Sequence, residues 1–301
     1  MELFDLHCDT LTECLARSIP ASDPTLGIYP VPGDDFPRRA QVFATFIPDE
    51  LRGEAAYRHF LAQRETLLSQ QKWISLCTSM EDAEKAFSER KIAGFLSVEG
   101  GAALDGRIER VGRIASLGVK LLTFTWNGEC ELGYGALSPD LPLKPFGLEV
   151  LSACEREGII ADVSHLSRAG FWSVAERATK PFVATHSNAD AICPHPRNLT
   201  DDQLRAILNA GGLIGLNFHR PFVGEGEGTE RLLAHIRHIC RLGGEKQLCL
   251  GGDFDGSDQT VYPNAAGLAA LYEAICIHEN KELADGIFFD NANRFFSSQL
   301  S

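Results

Sequence analysis

The chain has no apolar run near the roughly 18 residues of a membrane span, which removes a membrane-crossing helix from the reading. Its nine cysteines, at 8, 14, 77, 130, 154, 193, 240, 249 and 276, form no C-x-x-C pair, and an odd count fits no closed disulfide framework. Reduced thiols and a cytoplasmic setting are therefore expected. No basic and apolar leader opens the sequence and no long apolar tail closes it, so neither a secretory nor a lipid-anchor signal is expected. Positive charge is scarce. With 28 Lys and Arg against 41 Asp and Glu, the net charge is −13, which disfavours nucleic-acid phosphates and anionic membranes as partners. Neither a G-x-G-x-x-G turn nor a P-loop follows any apolar run, so the usual nucleotide-binding signatures are missing as well.

What is present is the composition of a folded protein. Hydrophobic residues make up 44% of 301 positions and charged residues 23%, enough for a large core. Short apolar runs recur, each followed by a polar or glycine-rich break and then by a stretch of helical spacing, the pattern of repeated βα units. Eight strands are predicted near 2–7, 40–47, 92–98, 119–125, 158–163, 181–185, 212–217 and 247–252. Amphipathic helices are predicted over Glu54–Ser69, Ile108–Leu117, Gly147–Glu157, Asp201–Ala210 and Glu230–Leu242, with Asp201 as an N-cap and Gly211 just past a helix end. The Pro-, Gly- and Asp-rich stretch from Ser18 to Pro37 reads as an irregular insertion over the first strand. A single (β/α)₈ TIM barrel over residues 1–301, forming one catalytic domain, accounts for this order.

The polar residues that close the predicted strands carry the functional signal. In an extended chain, residues i and i+2 share a face, so His7 and Asp9 aim an imidazole and a carboxylate at one point, while Cys8 between them turns toward the core. Glu99, followed by two glycines that let the chain turn sharply, closes the third strand. His165 and His186 follow the fifth and sixth, and Asp253 and Asp255 the eighth. All stand at carboxyl ends of strands, the face on which a barrel builds its active site. Two His and carboxylate sets sharing Glu99 would hold two divalent ions, an arrangement that activates water near neutral pH. Such donors suit zinc and leave manganese, cobalt and iron open. Asp255 and His195 read as hydrogen-bonded structural residues, and His59, His235, His238 and His278 fall on predicted helices where they are expected to face solvent.

Taken in order, the motifs resemble the membrane (renal) dipeptidase family, zinc peptidases of the amidohydrolase barrel type. They are the His7-x-Asp9 pair, Ser97-Val98-Glu99-Gly100-Gly101, Leu122–Asn127, Pro145-Phe146-Gly147, Asp162-Val163-Ser164-His165, His186-Ser187, Pro196-Arg197-Asn198, Gly252–Gly256 and Asn291–Phe295. The resemblance implies that His7 and Asp9 bind one Zn²⁺, that His165 and His186 bind a second, and that Glu99 bridges the two. It makes Asp253 the proton shuttle, gives Arg197 the terminal carboxylate of a small dipeptide substrate, and implies tolerance of a D-residue at the C-terminal position. A guanidinium fork suits a carboxylate geometrically. The chain departs from mammalian members at two places. Phe124, Trp126 and Asn127 stand where those members have a carbonyl-polarising His, and Phe222 replaces a substrate-contacting Tyr. Another metal-dependent amidohydrolase, such as a lactonase, cyclic amidase or deaminase, and a non-catalytic peptide-binding barrel are the competing readings. The sequence leaves open a homo-oligomer.

Overall fold

The computed structural model of the chain describes residues 1–30 and 36–300. Eight parallel strands form one sheet: β1 (Leu3–Cys8), β2 (Arg39–Phe46), β3 (Ile74–Leu76), β4 (Ile92–Glu99), β5 (Val119–Thr123), β6 (Ile160–Asp162), β7 (Ile214–Leu216) and β8 (Leu248–Leu250). The main path runs β6-β5-β4-β2-β1-β8-β7, with β3 off it against β4. The eight strands are not quite the predicted eight.

The run 181–185 is not a strand. Single bridges, Asp162 to Val183 and Ala184 to Ile214, join it to β6 on one side and β7 on the other, so it fills the sixth slot and closes the curled sheet. The Asp162 carboxylate explains the lost ladder: its Oδ1 accepts the backbone N–H groups of Ser164 and Thr185, both at 3.0 Å, in place of a neighbouring carbonyl. β3 is an addition that the sequence reading misses. It pairs with the first residues of β4, Ile92–Gly94, on the edge where β5 pairs with the last ones. Only three residues long, it carries too little alternation to be seen.

The five predicted helices are present, as Gly53–Ser69, Glu109–Ser116, Pro145–Glu157, Asp201–Asn209 and Gly228–Arg241. Thr200 rather than Asp201 is the N-cap of the fourth, in a capping box with Gln203, and Asp201 sits in the first turn where its charge complements the helix dipole. Gly211 has a positive φ of 75°, as a residue just past a helix end should. In the insertion after Ser18, Arg39 donates to the carbonyls of Ile28 and Pro30, both at 2.7 Å, and Gly27 N–H donates to Asp255 Oδ1 at 2.6 Å. Residues 31–35 of that predicted insertion lie outside the described residues. Among the described residues, no helix is long and apolar enough to cross a membrane.

Apolar side chains form two buried clusters. The larger lies between strands and helices. The smaller draws on every position of the closed sheet, including Phe4, Val42, Phe95, Leu121, Ile160 and Val183, and takes Phe289, Phe295 and Phe296 from the C-terminal segment. It fills the barrel interior at the amino ends of the strands. Leu6 belongs to this inner cluster and Cys8 to the outer one, although strict alternation would put both on one face. The register of β1 against β2 shifts between Asp5 and Cys8, and this bulge reverses the parity so that the strand can hold Phe4 and Leu6 below and still turn His7 inward above them.

Candidate metal centre

The carboxyl ends of the strands bring His7, Asp9, Glu99, His165, His186 and Asp253 together around one cavity. Glu99 is the last residue of β4, and the chain leaves it through Gly100 at a φ of 111°, a conformation that needs glycine. Its two oxygens face different partners. Oε2 lies 3.5 Å from His7 Nε2, while Oε1 lies 2.9 Å from His165 Nε2 and 3.7 Å from His186 Nε2. His7 Nε2 also lies 3.4 Å from Asp9 Oδ2 and 3.9 Å from Asp253 Oδ1. The ligand atoms of His7, Glu99 and His186 fall within 4.8 Å of one another, as do those of His7, Asp9 and Asp253.

The supporting hydrogen bonds fix which ring nitrogens face inward. His165 Nδ1 meets Asn127 Oδ1 at 2.9 Å, an acceptor, so Nδ1 carries the proton and Nε2 presents a lone pair. The Thr185 hydroxyl gives its single proton to Asp162 Oδ2 at 2.7 Å and accepts His186 Nδ1–H at 2.8 Å, so His186 Nε2 is likewise unprotonated. Two bare ring nitrogens then stand 2.8 Å apart. Fully buried His7 Nε2 and Asp9 Oδ1 have no hydrogen-bond partner. The bare nitrogens of His165 and His186 and the carboxylates of Asp9 and Glu99 converge on one space, a donor set that fits divalent cations, since buried polar atoms are otherwise paired.

The electrostatics agree. Burial is the largest influence on His7, Asp9, Glu99, His165 and His186, and it acts against charge. On Glu99 it is outweighed by His7 and His165, which hold the carboxyl well below its usual range. Burial and the charge of Glu99 push Asp9 up to about 7. Against burial, Glu99 and Asp9 raise His7 well above an ordinary imidazole. Burial and Arg197 lower His165 to about 4, and burial and His7 lower His186 well below an ordinary imidazole, so both are neutral and ready to ligate. Negative charge is in excess around His7 and Asp9, and a cation would balance it.

Asp253 follows β8 at a φ of 57°, and Asn217 Nδ2 donates to its Oδ2 at 3.0 Å. A Cβ at Gly256 would overlap the carboxylates of both Asp253 and Asp9, so only glycine lets that loop close over them. Arg197 is buried, at 4% exposure, and forms no ion pair within 4 Å among the described residues. Its Nε is unpaired, and its other nitrogens make only long contacts, 3.5 Å to Ser187 Oγ and 3.4 Å to the His186 carbonyl. Burial lowers it to about 10, which leaves it charged at neutral pH. Its Cζ lies 5.4 Å from the centre of the Phe222 ring. The cavity, of about 370 Å³, is lined by Asp9, Glu99, His165 and Asp253 together with Phe46, Trp126, Asn127, His219, Phe222 and Ser257.

Several residues outside the predicted set are part of this arrangement. Asn127 and Thr185 orient the histidines, and Asp5 accepts the backbone N–H groups of His7 and Gly252 and so locks β1 to the β8 loop. Asn217 and His219, which close β7, obey the same strand-end rule that finds Glu99. Asp255 and His195 play the structural parts expected of them: Asp255 accepts from Thr10 Oγ1 and Gly27, and His195 Nδ1 accepts Arg197 N–H at 3.1 Å. Cys8 is buried in the helix-side core as expected, and all nine cysteines are free. The histidines on helices diverge. His278 is exposed and His59 and His238 are half-buried, but His235 is fully buried, because its helix turns that face onto the loops after the sixth and seventh positions. There Nε2 meets the Val223 carbonyl at 3.1 Å and Nδ1 accepts from Ala189 at 3.2 Å.

A family model for membrane dipeptidase (peptidase family M19) matches residues 33–299. A Klebsiella pneumoniae protein encoded in the pqqA 5′ region is 36% identical over 196 residues, 61% of this chain and 72% of that one. A Rhodobacter sphaeroides metallopeptidase, solved with a phosphinate mimic of the dipeptide L-Ala-D-Ala, superposes with a TM-score of 0.88 at 26% identity over 99% of each chain. A metallopeptidase of family M19 described as dipeptidase AC superposes with a TM-score of 0.89 at 26% identity, over 100% of this chain and 99% of the other. With the family match running through three of the five clustered metal-ligand candidates and through nearly the whole barrel, the chain belongs to the membrane dipeptidase family and is a metal-dependent hydrolase.

Proposed function

We propose that the protein is a dipeptidase that cleaves the single peptide bond of short substrates, including those with a D-residue at the C-terminal position, at a centre for two zinc ions. The observation that carries this reading is the division of Glu99, with one oxygen toward His7 and the other toward His165 and His186. His7 and Asp9 would hold one ion, His165 and His186 the other, with Glu99 shared. Bound there, the ions supply Lewis acidity and activate water.

The chain's own residues do the rest. Asp253, held by Asn217 at the cavity wall, moves a proton at its free Oδ1 toward the leaving amine. Arg197, a buried cation with no ion pair among the described residues, supplies the charge that draws a substrate's carboxylate into the site. Phe46 and Trp126, edge to face at 5.0 Å, wall off water and present an apolar surface to a side chain. The mimic bound in the Rhodobacter sphaeroides relative, with its L-then-D order, supports the stereochemical part.

The test joins metal analysis to a substrate panel. Zinc-supplied protein should bind about two ions per chain and cleave Ala-Ala and Ala-D-Ala in preference to lactones and cyclic imides. Absence of specifically bound metal would defeat the metal assignment, and preference for a cyclic imide would replace dipeptidase with another amidohydrolase activity.

A further inference from the structure

Phe46, the last residue of β2, supplies part of the cavity's apolar wall, and its backbone is not held by a neighbouring strand. In a sheet, successive residues turn their N–H and C=O groups to opposite sides. Ile47 N–H donates to the Glu99 carbonyl of β4 at 2.9 Å, so the backbone groups of Phe46 face the β1 side. There β1 has already ended: its last pairing with β2 is Cys8 with Phe43, and the chain goes on as the helix Thr10–Arg17.

Gln63 takes the place of the missing strand. Fully buried on the helix Gly53–Ser69, it accepts Phe46 N–H on Oε1 at 3.1 Å and donates from Nε2 to the Phe46 carbonyl at 2.7 Å. A backbone N–H can only donate and a backbone carbonyl can only accept, so these partners fix which way the carboxamide points. Thr12, also on the cavity wall, then donates its hydroxyl to the same Oε1 at 3.1 Å. From Phe46 the contacts continue toward the centre: its ring meets Trp126 edge to face at 5.0 Å, and Trp126 lies 6.5 Å from the His165 ring. One buried amide thus sets where an aromatic wall stands beside a candidate metal ligand.

We infer that Gln63 is a positioning residue for substrate selection: by holding the Phe46 ring against Trp126, it gives the cavity a preference for dipeptides that carry a large apolar side chain. Phe46 and Trp126 are each only half-buried, and covering them with such a side chain is favoured in proportion to the apolar area removed from water. Gln63 itself lies in the core and acts through Phe46. The role rests on the dipeptidase reading for the identity of its ligand.

The experiment measures kcat and KM on zinc-loaded protein for Ala-Ala, Phe-Ala and Ala-Phe, which place the large side chain at either position in turn. Gln63→Met keeps the length of the side chain and removes both of its bonds to Phe46. Gln63→Asn keeps an amide that falls short by one methylene, and it serves the same comparison should Gln63→Met not fold. Wild-type protein should favour one of the two Phe-containing dipeptides over Ala-Ala. Either variant should cut that preference about tenfold, the lower end of what a methylene is worth in an apolar pocket, with the change falling on KM. In a Phe46→Ala background, which has no ring to place, the Gln63 substitution should alter the preference no further. A wild type that favours Ala-Ala, an unaltered preference in the variants, equal losses for all three dipeptides, or losses additive with Phe46→Ala would overturn the inference. If wild-type protein cleaves no dipeptide, the dipeptidase reading fails and this role with it; cleavage with an unaltered preference removes the role of Gln63 alone.

Discussion

On β1, Phe4 and His7 stand three residues apart, and on β4 so do the neighbouring core residue Leu96 and the site residue Glu99. At the amino end of the barrel Phe4, Phe95 and Phe296 interlock, with ring centroids 4.7 Å apart for Phe4 and Phe296 and 5.0 Å for Phe95 and Phe296. At the carboxyl end, on the same strands, buried ionisable groups are packed with unpaired atoms and opposed lone pairs. One end gains stability from dispersion and the removal of apolar surface from water. The other holds charge that folding alone does not favour. The difference shows how a marginally stable molecule keeps such a site: the favourable packing lies below it on shared strands.

If the two ends are separable, damage to one should spare the other. The largest effect is expected from Phe296→Ala, which should lower unfolding free energy by about 3–5 kcal/mol, the usual cost of emptying a large buried aromatic site. Turnover per folded molecule and metal content should stay at wild-type levels. Denaturant unfolding together with active-site titration checks this, and a parallel loss of turnover would show that the ends are coupled.

At the other end, Asp253→Asn should leave stability and metal content in place while lowering turnover by about 10²-fold, the scale for losing a general acid or base. Metal analysis and steady-state rates decide it; near wild-type turnover removes Asp253 from the proton path. The smallest effect should come from Arg197→Met, at about 2 kcal/mol in kcat/KM. Amidating the substrate should cost a similar amount, and the two changes together little more than one, because both remove the same charge-assisted contact. Additive losses would place the carboxylate elsewhere. Arg197→Met should also raise stability, since the variant no longer buries a guanidinium that has no ion pair among the described residues, and this would extend the contrast between the two ends.

Much of this was legible in the sequence because it depends on local order. Seven of the eight expected strand positions are strands, and all five expected helices form, since apolar periodicity and breaks by Gly and Pro are properties of neighbouring residues. The pairing of His7 with Asp9 across Cys8 follows from side-chain alternation. The reason those two face inward above Leu6 does not, because the bulge in β1 exists only in its register with β2. The run 181–185 looked like a strand, and its ladder was replaced by a carboxylate from Asp162, about twenty residues earlier in the chain.

The sequence places His235 on a helix where it is expected to face solvent, and the structure buries it, because burial of a helix face depends on what packs against it. Asn127 and Thr185 had no signal of their own as ring orienters, since each matters only through an imidazole brought to it by another strand. By itself the sequence determined the βα order, the strand-end placement of His7, Asp9, Glu99, His165, His186 and Asp253, and the resemblance those motifs carry. Only the tertiary structure decided which Glu99 oxygen faces which histidine and which ring nitrogens are free. Ligand geometry and protonation are set by distances between residues far apart in the chain, and only the closed barrel fixes those distances.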